Sequence, residues 1–161
     1  MIPGKLEWGH GNGEARIAKL KSGPAAFDST AIAISRDAVT AMLAAAREAA
    51  PDEACGLLLG EGSHINTAVP TANVAADPAR HFEIDPAALV AAHRAARDGS
   101  GAQVLGYFHS HPNGLARPSA TDMQCAARDG RIWAIIADSA ITCWSDGPDG
   151  FEPLSYAVTG G

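Results

Sequence analysis

The chain has 161 residues, 47% hydrophobic and 19% charged, with a net charge of -6 at pH 7. That length fits one hydrophobic core rather than two, and the acidic balance disfavours sequence-independent binding to nucleic acid. No apolar run approaches the ~20 residues of a membrane span, and Met1-Ile2-Pro3-Gly4-Lys5 lacks the apolar core of a signal peptide, so a cytoplasmic protein with neither nucleic-acid nor membrane partners is expected. Cys55, Cys125 and Cys143 are odd in number and lack zinc-ligand spacing, which points to buried free thiols rather than disulfides.

Residues 1–30 carry Gly4, Gly9, Gly11, Gly13, Gly23 and Pro24 without sustained periodicity; they read as an N-terminal arm with at most a short element near Ala15–Leu20. From Ala31 the pattern sharpens. A strand over Ala31–Ile34 leads to Ser35 as a helix N-cap, followed by Val39, Met42, Leu43 and Ala46 at helical spacing and a stop at Pro51. Ala54–Leu59 reads as a buried strand closed by Gly60, with His64–Val69 as its antiparallel partner. A loop over Pro70–Arg80 precedes a brief strand at His81–Ile84. Asp85-Pro86 then starts a helix, Asp as N-cap and Pro at the first position, that runs to Gly99. Val104–His109 is the central strand, Ser119–Arg128 a helix, Arg131–Ala137 and Ala140–Ser145 a hairpin, and Phe151–Val158 a last strand. Helices and strands alternate early and strands dominate late. This predicts an α/β, three-layer domain over 31–158, a mixed sheet flanked by helices, followed by the tail 159–161.

The chemistry concentrates in His109-Ser110-His111-Pro112 and the segment that follows it. Two His separated by one residue at the end of an extended run point to one side of a strand, where one metal ion reaches both. Asp122 follows a Pro-containing loop that can bring its carboxylate back as a third ligand. Two His and a carboxylate leave the fourth position of a zinc ion open, as in catalytic sites. Such a site needs a proton-transferring carboxylate that is not a ligand, and Glu53, between a helix end and an apolar strand, is the candidate. Ser119 has two compatible readings. It caps the helix in a Ser-x-x-Asp capping box, and its hydroxyl can stabilise an oxyanion. His10, His64, His81 and His93 lack partners at ligand spacing and read as structural or surface residues. Ser110 points to the opposite strand face, without the Gly-x-Ser-x-Gly surroundings of a serine nucleophile. An HExxH helix, a Walker-type loop and the Pro-Cys-x-x-Cys half of the zinc deaminase signature are absent.

Taken together, Glu53, His109-x-His111-Pro112 and Ser119-x-x-Asp122, with Phe82-Glu83-Ile84-Asp85-Pro86 between them, resemble the JAMM, or MPN-plus, metalloproteases of single-domain bacterial type. The resemblance spans about residues 31–158. It implies an MPN (cytidine-deaminase-like) fold, one Zn2+ held by His109, His111 and Asp122, Glu53 as general acid/base, and Ser119 at the oxyanion. It also implies cleavage after the C-terminal Gly-Gly of a ubiquitin-like protein, in a conjugate, a precursor or a sulfur carrier, and the loop Asn113–Arg117 is expected to border the groove for that tail. Two other readings stay open: release of cysteine or a small amine from a sulfur carrier, and a non-catalytic module that binds ubiquitin-like tails.

Overall fold

The computed structural model describes residues 31–160. The sequence-predicted arm, including Ala15–Leu20, and the terminal Gly161 lie outside the described residues. In chain order the elements are β1 (Ile32–Ser35), α1 (Arg36–Ala49), β2 (Cys55–Glu61), β3 (His64–Thr71), α2 (Pro86–Asp98), β4 (Gln103–Ser110), α3 (Ala120–Cys125), β5 (Ile132–Ala137), β6 (Ala140–Gly147), β7 (Gly150–Leu154) and β8 (Tyr156–Thr159). The helix starts follow their local chemistry. Ser35 accepts a hydrogen bond from the Ala38 N–H and Asp85 from the Ala87 N–H, while Gly99 ends α2 in the left-handed conformation at φ 82°. Among the described residues no helix is long and apolar enough to cross a membrane.

The eight strands form one mixed sheet in the order β7-β6-β5-β4-β2-β3-β1-β8. The two edge strands, β7 and β8, are consecutive in the chain and separated only by Ser155. The sheet must therefore curl until its edges meet, and the Ser155 carbonyl accepts the Ile32 N–H at that seam. The single last strand read from residues 151–158 is thus two strands on opposite edges. Alternation had no means of showing this, because the break is one residue long.

The curl wraps α1, which packs against β1, β3, β4, β5 and β8. Met42 and Ala38 of α1 meet Ile34, Leu58, Ile65 and Phe108 in the main core. Side chains the size of Met42 or Phe108 each contribute about 2 kcal/mol through burial. The other face carries a second cluster of Trp133, Ile135 and Trp144, with Phe82, Tyr107 and Phe151 against it. Strand β5 is buried along its whole length because alternate residues supply both clusters, Ile132, Ala134 and Ile136 to one and Trp133 and Ile135 to the other. On this second face α2 contacts β4 without fully burying any residue.

Two further elements differ from the sequence expectation. His81–Ile84 is not a strand; its pairing is one isolated bridge, Asn73 to Ile84. The third helix stops at Cys125, short of Arg128. Asp146 competes for the chain there, its carboxylate accepting the Arg128 N–H at 3.0 Å, and Arg128 takes a positive φ of 57°.

The β4–β5 pairing needs Gly106, opposite Ile132, because a Cβ there would overlap the Ile132 backbone carbonyl. Gly106→Ala is expected to cost about 2 kcal/mol or more in urea denaturation, whereas Gly160→Ala, whose Cβ meets nothing, is the near-neutral control.

Candidate metal centre

Strand β4 is the spine of the site. It pairs antiparallel with β2 and parallel with β5, and the parallel pair is joined by the crossover that carries α3. Such a crossover places residues from its helix over the carboxyl end of the first strand, where open α/β sheets build their sites. His109 is the penultimate residue of β4. His111 lies just beyond the strand, but its N–H still donates to the Ile136 carbonyl at 2.8 Å, which continues the ladder with β5. The β2–β4 register pairs Cys55 with His109. Beyond that pair Ser110 grips the chain twice: its N–H donates to the Ala54 carbonyl at 3.0 Å and its hydroxyl accepts the Ala54 N–H at 2.8 Å. Glu53 is thereby brought beside the two histidines.

The His109 and His111 Nε2 atoms lie 2.9 Å apart, and the Asp122 Oδ2 is 3.1 and 3.2 Å from them. All three residues are buried. His111 Nδ1 donates to the Leu115 carbonyl at 2.6 Å, so a neutral ring would present its Nε2 lone pair to an ion between the other two atoms, whereas a protonated ring donates from Nε2 to Asp122. Two ring nitrogens and a carboxylate oxygen packed this closely need a cation or shared protons between them. Ligands at the 2.0–2.1 Å bond length of a tetrahedral zinc ion stand about 3.3 Å apart, close to the spacing seen. The donor set suits zinc on that ground. Glu53 belongs to a looser group: its carboxylate and the two histidine nitrogens lie within 4.8 Å of one another, and no hydrogen bond joins it to either ring. Geometry therefore offers two overlapping donor triads, and the tighter one contains Asp122.

Asp122 is held by a reciprocal capping box. Its Oδ2 accepts the Ser119 N–H at 2.8 Å, and the Ser119 hydroxyl accepts the Asp122 N–H at 3.0 Å. Burial raises its affinity for a proton, but the hydrogen bonds from His109 and His111 outweigh that and hold it well below the usual carboxylate range. Burial pushes His109 down. Burial also acts to lower His111, yet its hydrogen bonds to Asp122 and the Leu115 carbonyl, with the nearby charges of Asp122 and Glu53, raise it. Glu53 is pushed up to about 7, chiefly by burial; His111 opposes the shift and Asp122 reinforces it. A carboxyl that exchanges protons near neutrality suits acid/base work.

An apolar groove of about 210 Å³ runs up to Asp122, lined by Leu89, Tyr107, Trp133, Phe82 and Ile84 among others. Phe82 stacks on His109 with ring centroids 4.2 Å apart and meets Trp133 edge-on. The structure thus brings Glu53, His109, His111, Ser119 and Asp122 together. Leu115 of the Asn113–Arg117 loop buttresses His111, so that loop borders the histidine cluster, while other segments line the apolar groove. His64 and His93 stand apart from the site, whereas His81 lines the groove. Cys55 and Cys143 are buried free thiols, but Cys125 is exposed and also lines the groove. The sequence reading missed Ser110, Phe82 and Asn73 as contributors. Only the adjacency of Ser110 to both histidines signalled one of them, because the other two act through contacts distant in sequence.

The shift of Glu53 carries a stability sign. Its folded pKa is raised, so the folded chain holds a proton that the unfolded chain releases above about 4.5, and stability falls as pH rises from there through about 7. In zinc-free protein Glu53→Gln should therefore raise stability at pH 8 by about 2 kcal/mol and leave it almost unchanged at pH 4, as read by urea denaturation at both values.

Comparison with known proteins identifies the family. Residues 35–146 match the family described as prokaryotic homologs of the JAB domain. A desampylase from Haloferax volcanii is 35% identical over 137 residues, covering 81% of this chain and 98% of the relative. A solution structure from Desulfitobacterium hafniense superposes with a TM-score of 0.71 at 31% identity, over 81% of this chain and 94% of that one. A JAB1/MPN domain protein from Archaeoglobus fulgidus shares the fold at a TM-score of 0.54 and 23% identity, over 80% and 96% of the two chains. With more than half its length matched to the family and its sheet-and-helix framework shared with these structures, the chain belongs to the prokaryotic homologs of the JAB domain.

Proposed function

We propose that this protein is a zinc-dependent peptidase or isopeptidase that hydrolyses the amide bond after the C-terminal Gly-Gly of a ubiquitin-like protein. The observation that carries the reading is the convergence of three buried donors beside a carboxylate of raised pKa, at the end of an apolar groove. The name of the Haloferax volcanii relative, desampylase, denotes removal of a ubiquitin-like protein and supports the same substrate class. His109, His111 and Asp122 would hold the ion, since their spacing is that of tetrahedral ligands and the Glu53 group is looser. When bound, zinc polarises the scissile carbonyl and lowers the pKa of a coordinated water to about 7.

The chain's own groups supply the rest of the reaction. Glu53 takes a proton from the attacking water and delivers it to the departing amine, both transfers being feasible for a carboxyl near pKa 7. Ser119 Oγ accepts the Asp122 N–H, so its hydroxyl hydrogen is free to donate to the carbonyl oxygen as negative charge develops there. Leu115 fixes the His111 tautomer and Phe82 shields the His109 ring from solvent. A Gly-Gly tail has no side chains to obstruct approach to the buried centre. The apolar lining at Leu89, Tyr107 and Trp133 suits the residues that precede it.

The test is a panel of ubiquitin-like proteins, sulfur carriers included, each extended beyond Gly-Gly and incubated with zinc-loaded protein. Cleavage after the second Gly should be abolished by chelation and lowered about 10³-fold in kcat by Glu53→Gln. Zinc uptake without cleavage of any member would instead favour a binding module. Leu89→Glu, which places a charge in the groove lining, should raise KM about tenfold with kcat little changed, as expected for a residue that contacts the tail and not the reacting bond.

A further inference from the structure

The geometry points to Asn73 as a positioning residue that ties the groove wall to the backbone of Glu53, an inference that rests on the reading just given. The β2–β3 ladder ends with Cys55 opposite Thr71. Two steps further along the same register, past Ala54 and Ala72, stand Glu53 and Asn73, where strand pairing has stopped. The Asn73 side chain takes over: its Nδ2 donates to the Glu53 carbonyl at 3.0 Å. The same nitrogen donates to the His81 carbonyl at 2.9 Å and lies 3.4 Å from that of Pro78. Its Oδ1 accepts the Ala75 N–H at 3.0 Å and the Glu83 N–H at 3.1 Å. One amide side chain thus uses both of its donors and both acceptor lone pairs.

Its partners on the loop side belong to the segment that presents Phe82 to His109 and Ile84 to the groove. The Glu53 N–H in turn donates to the Pro78 carbonyl at 2.8 Å, so both backbone polar groups of the acid/base residue are tied to the loop, through the two peptide planes that flank its Cα. Side-chain hydrogen bonds of this kind fix groups more tightly than loop packing alone, and small displacements of a catalytic group cost much of the rate. Asn73 therefore sets two quantities at once: the aim of Glu53 and the position of the wall that receives the substrate. Its donor half serves Glu53 and the wall together, and its acceptor half serves the wall alone.

Two variants separate the halves. Asn73→Ala removes every bond, whereas Asn73→Asp keeps an acceptor for Ala75 and Glu83 and loses the donors to the Glu53 and His81 carbonyls. Hydrogen exchange by mass spectrometry, zinc stoichiometry, and kcat and KM on the Gly-Gly-extended panel are measured on the zinc-loaded protein. For Asn73→Ala, exchange should quicken about tenfold or more at Glu53, Ala75 and Glu83 with the β5–β6 ladder unchanged and zinc still bound one per chain, while kcat falls and KM rises. For Asn73→Asp, Ala75 and Glu83 should stay protected, while exchange at Glu53 should quicken because its N–H is held by the Pro78 carbonyl that the lost donor gathers with those of Glu53 and His81. In that variant kcat should fall about tenfold or more, and KM should rise less than in Asn73→Ala. Faster exchange throughout the sheet, or a loosened loop with kcat unchanged, would overturn the inference. Should the parent protein cleave no member of the panel, the proposed activity fails, and the exchange pattern at Glu53 still decides whether Asn73 couples it to the loop.

Discussion

Everything at the functional end of this molecule depends on three polar atoms held closer together than they would stand without something to share. The Nε2 atoms of His109 and His111 and the Oδ2 of Asp122 lie within 3.2 Å of one another, each on a buried residue. Burying such groups costs stability unless they are paired or bind a metal ion. The surrounding chain spends its local structure on keeping them in place. The Leu115 carbonyl orients one ring, Phe82 stacks on the other, and the capping box at Ser119 fixes the carboxylate.

The fold supplies the framework that makes the crowding possible. Strand β4 lies inside the sheet, bonded on both sides, so the histidines at its end are carried by one of the most constrained segments of the chain. The curl of the sheet around α1 closes the core on one face, while on the other α2 lies across β4 with no residue fully buried. The groove opens on this less covered face, bounded by a loop whose strand pairing is a single bridge. Rigid scaffold and lightly covered groove face follow from one topology: the helix inside the curl buries Ala38, Met42 and Ala45, and the helix outside it buries no residue fully. Glu53 stands between the two, buried at the mouth of β2 and raised in pKa to about 7 by that burial. A site that needs a proton donor near neutrality accepts this local loss of stability.

Much of the framework was legible because the signals were local. Ser35, Asp85-Pro86 and Gly99 mark helix ends through hydrogen bonds and backbone angles that involve only near neighbours, and the observed caps follow them. The hairpin of β5 and β6 and the central strand β4 were readable from apolar runs bounded by turns. Where the reading erred, a distant partner had intervened. Asp146 draws the chain out of helix after Cys125, and the brief strand at His81–Ile84 gives way to a loop gathered on the side chain of Asn73.

The sequence by itself determined the chemical inventory: two imidazoles at strand spacing, a carboxylate set by a Ser-x-x-Asp cap, and an acid where a helix gives way to an apolar strand. These follow from periodicity and short-range hydrogen bonding, which act within a few residues and are written in residue type. Only the tertiary structure decided that Ile32 pairs with Ser155 at the seam, that the loop around Phe82 lines the apolar groove, and that Ser110 and Asn73 hold the chain around Glu53. Each of these joins residues many positions apart. Which distant groups become neighbours is set by strand order and register, and those are chosen by the packing of the whole core.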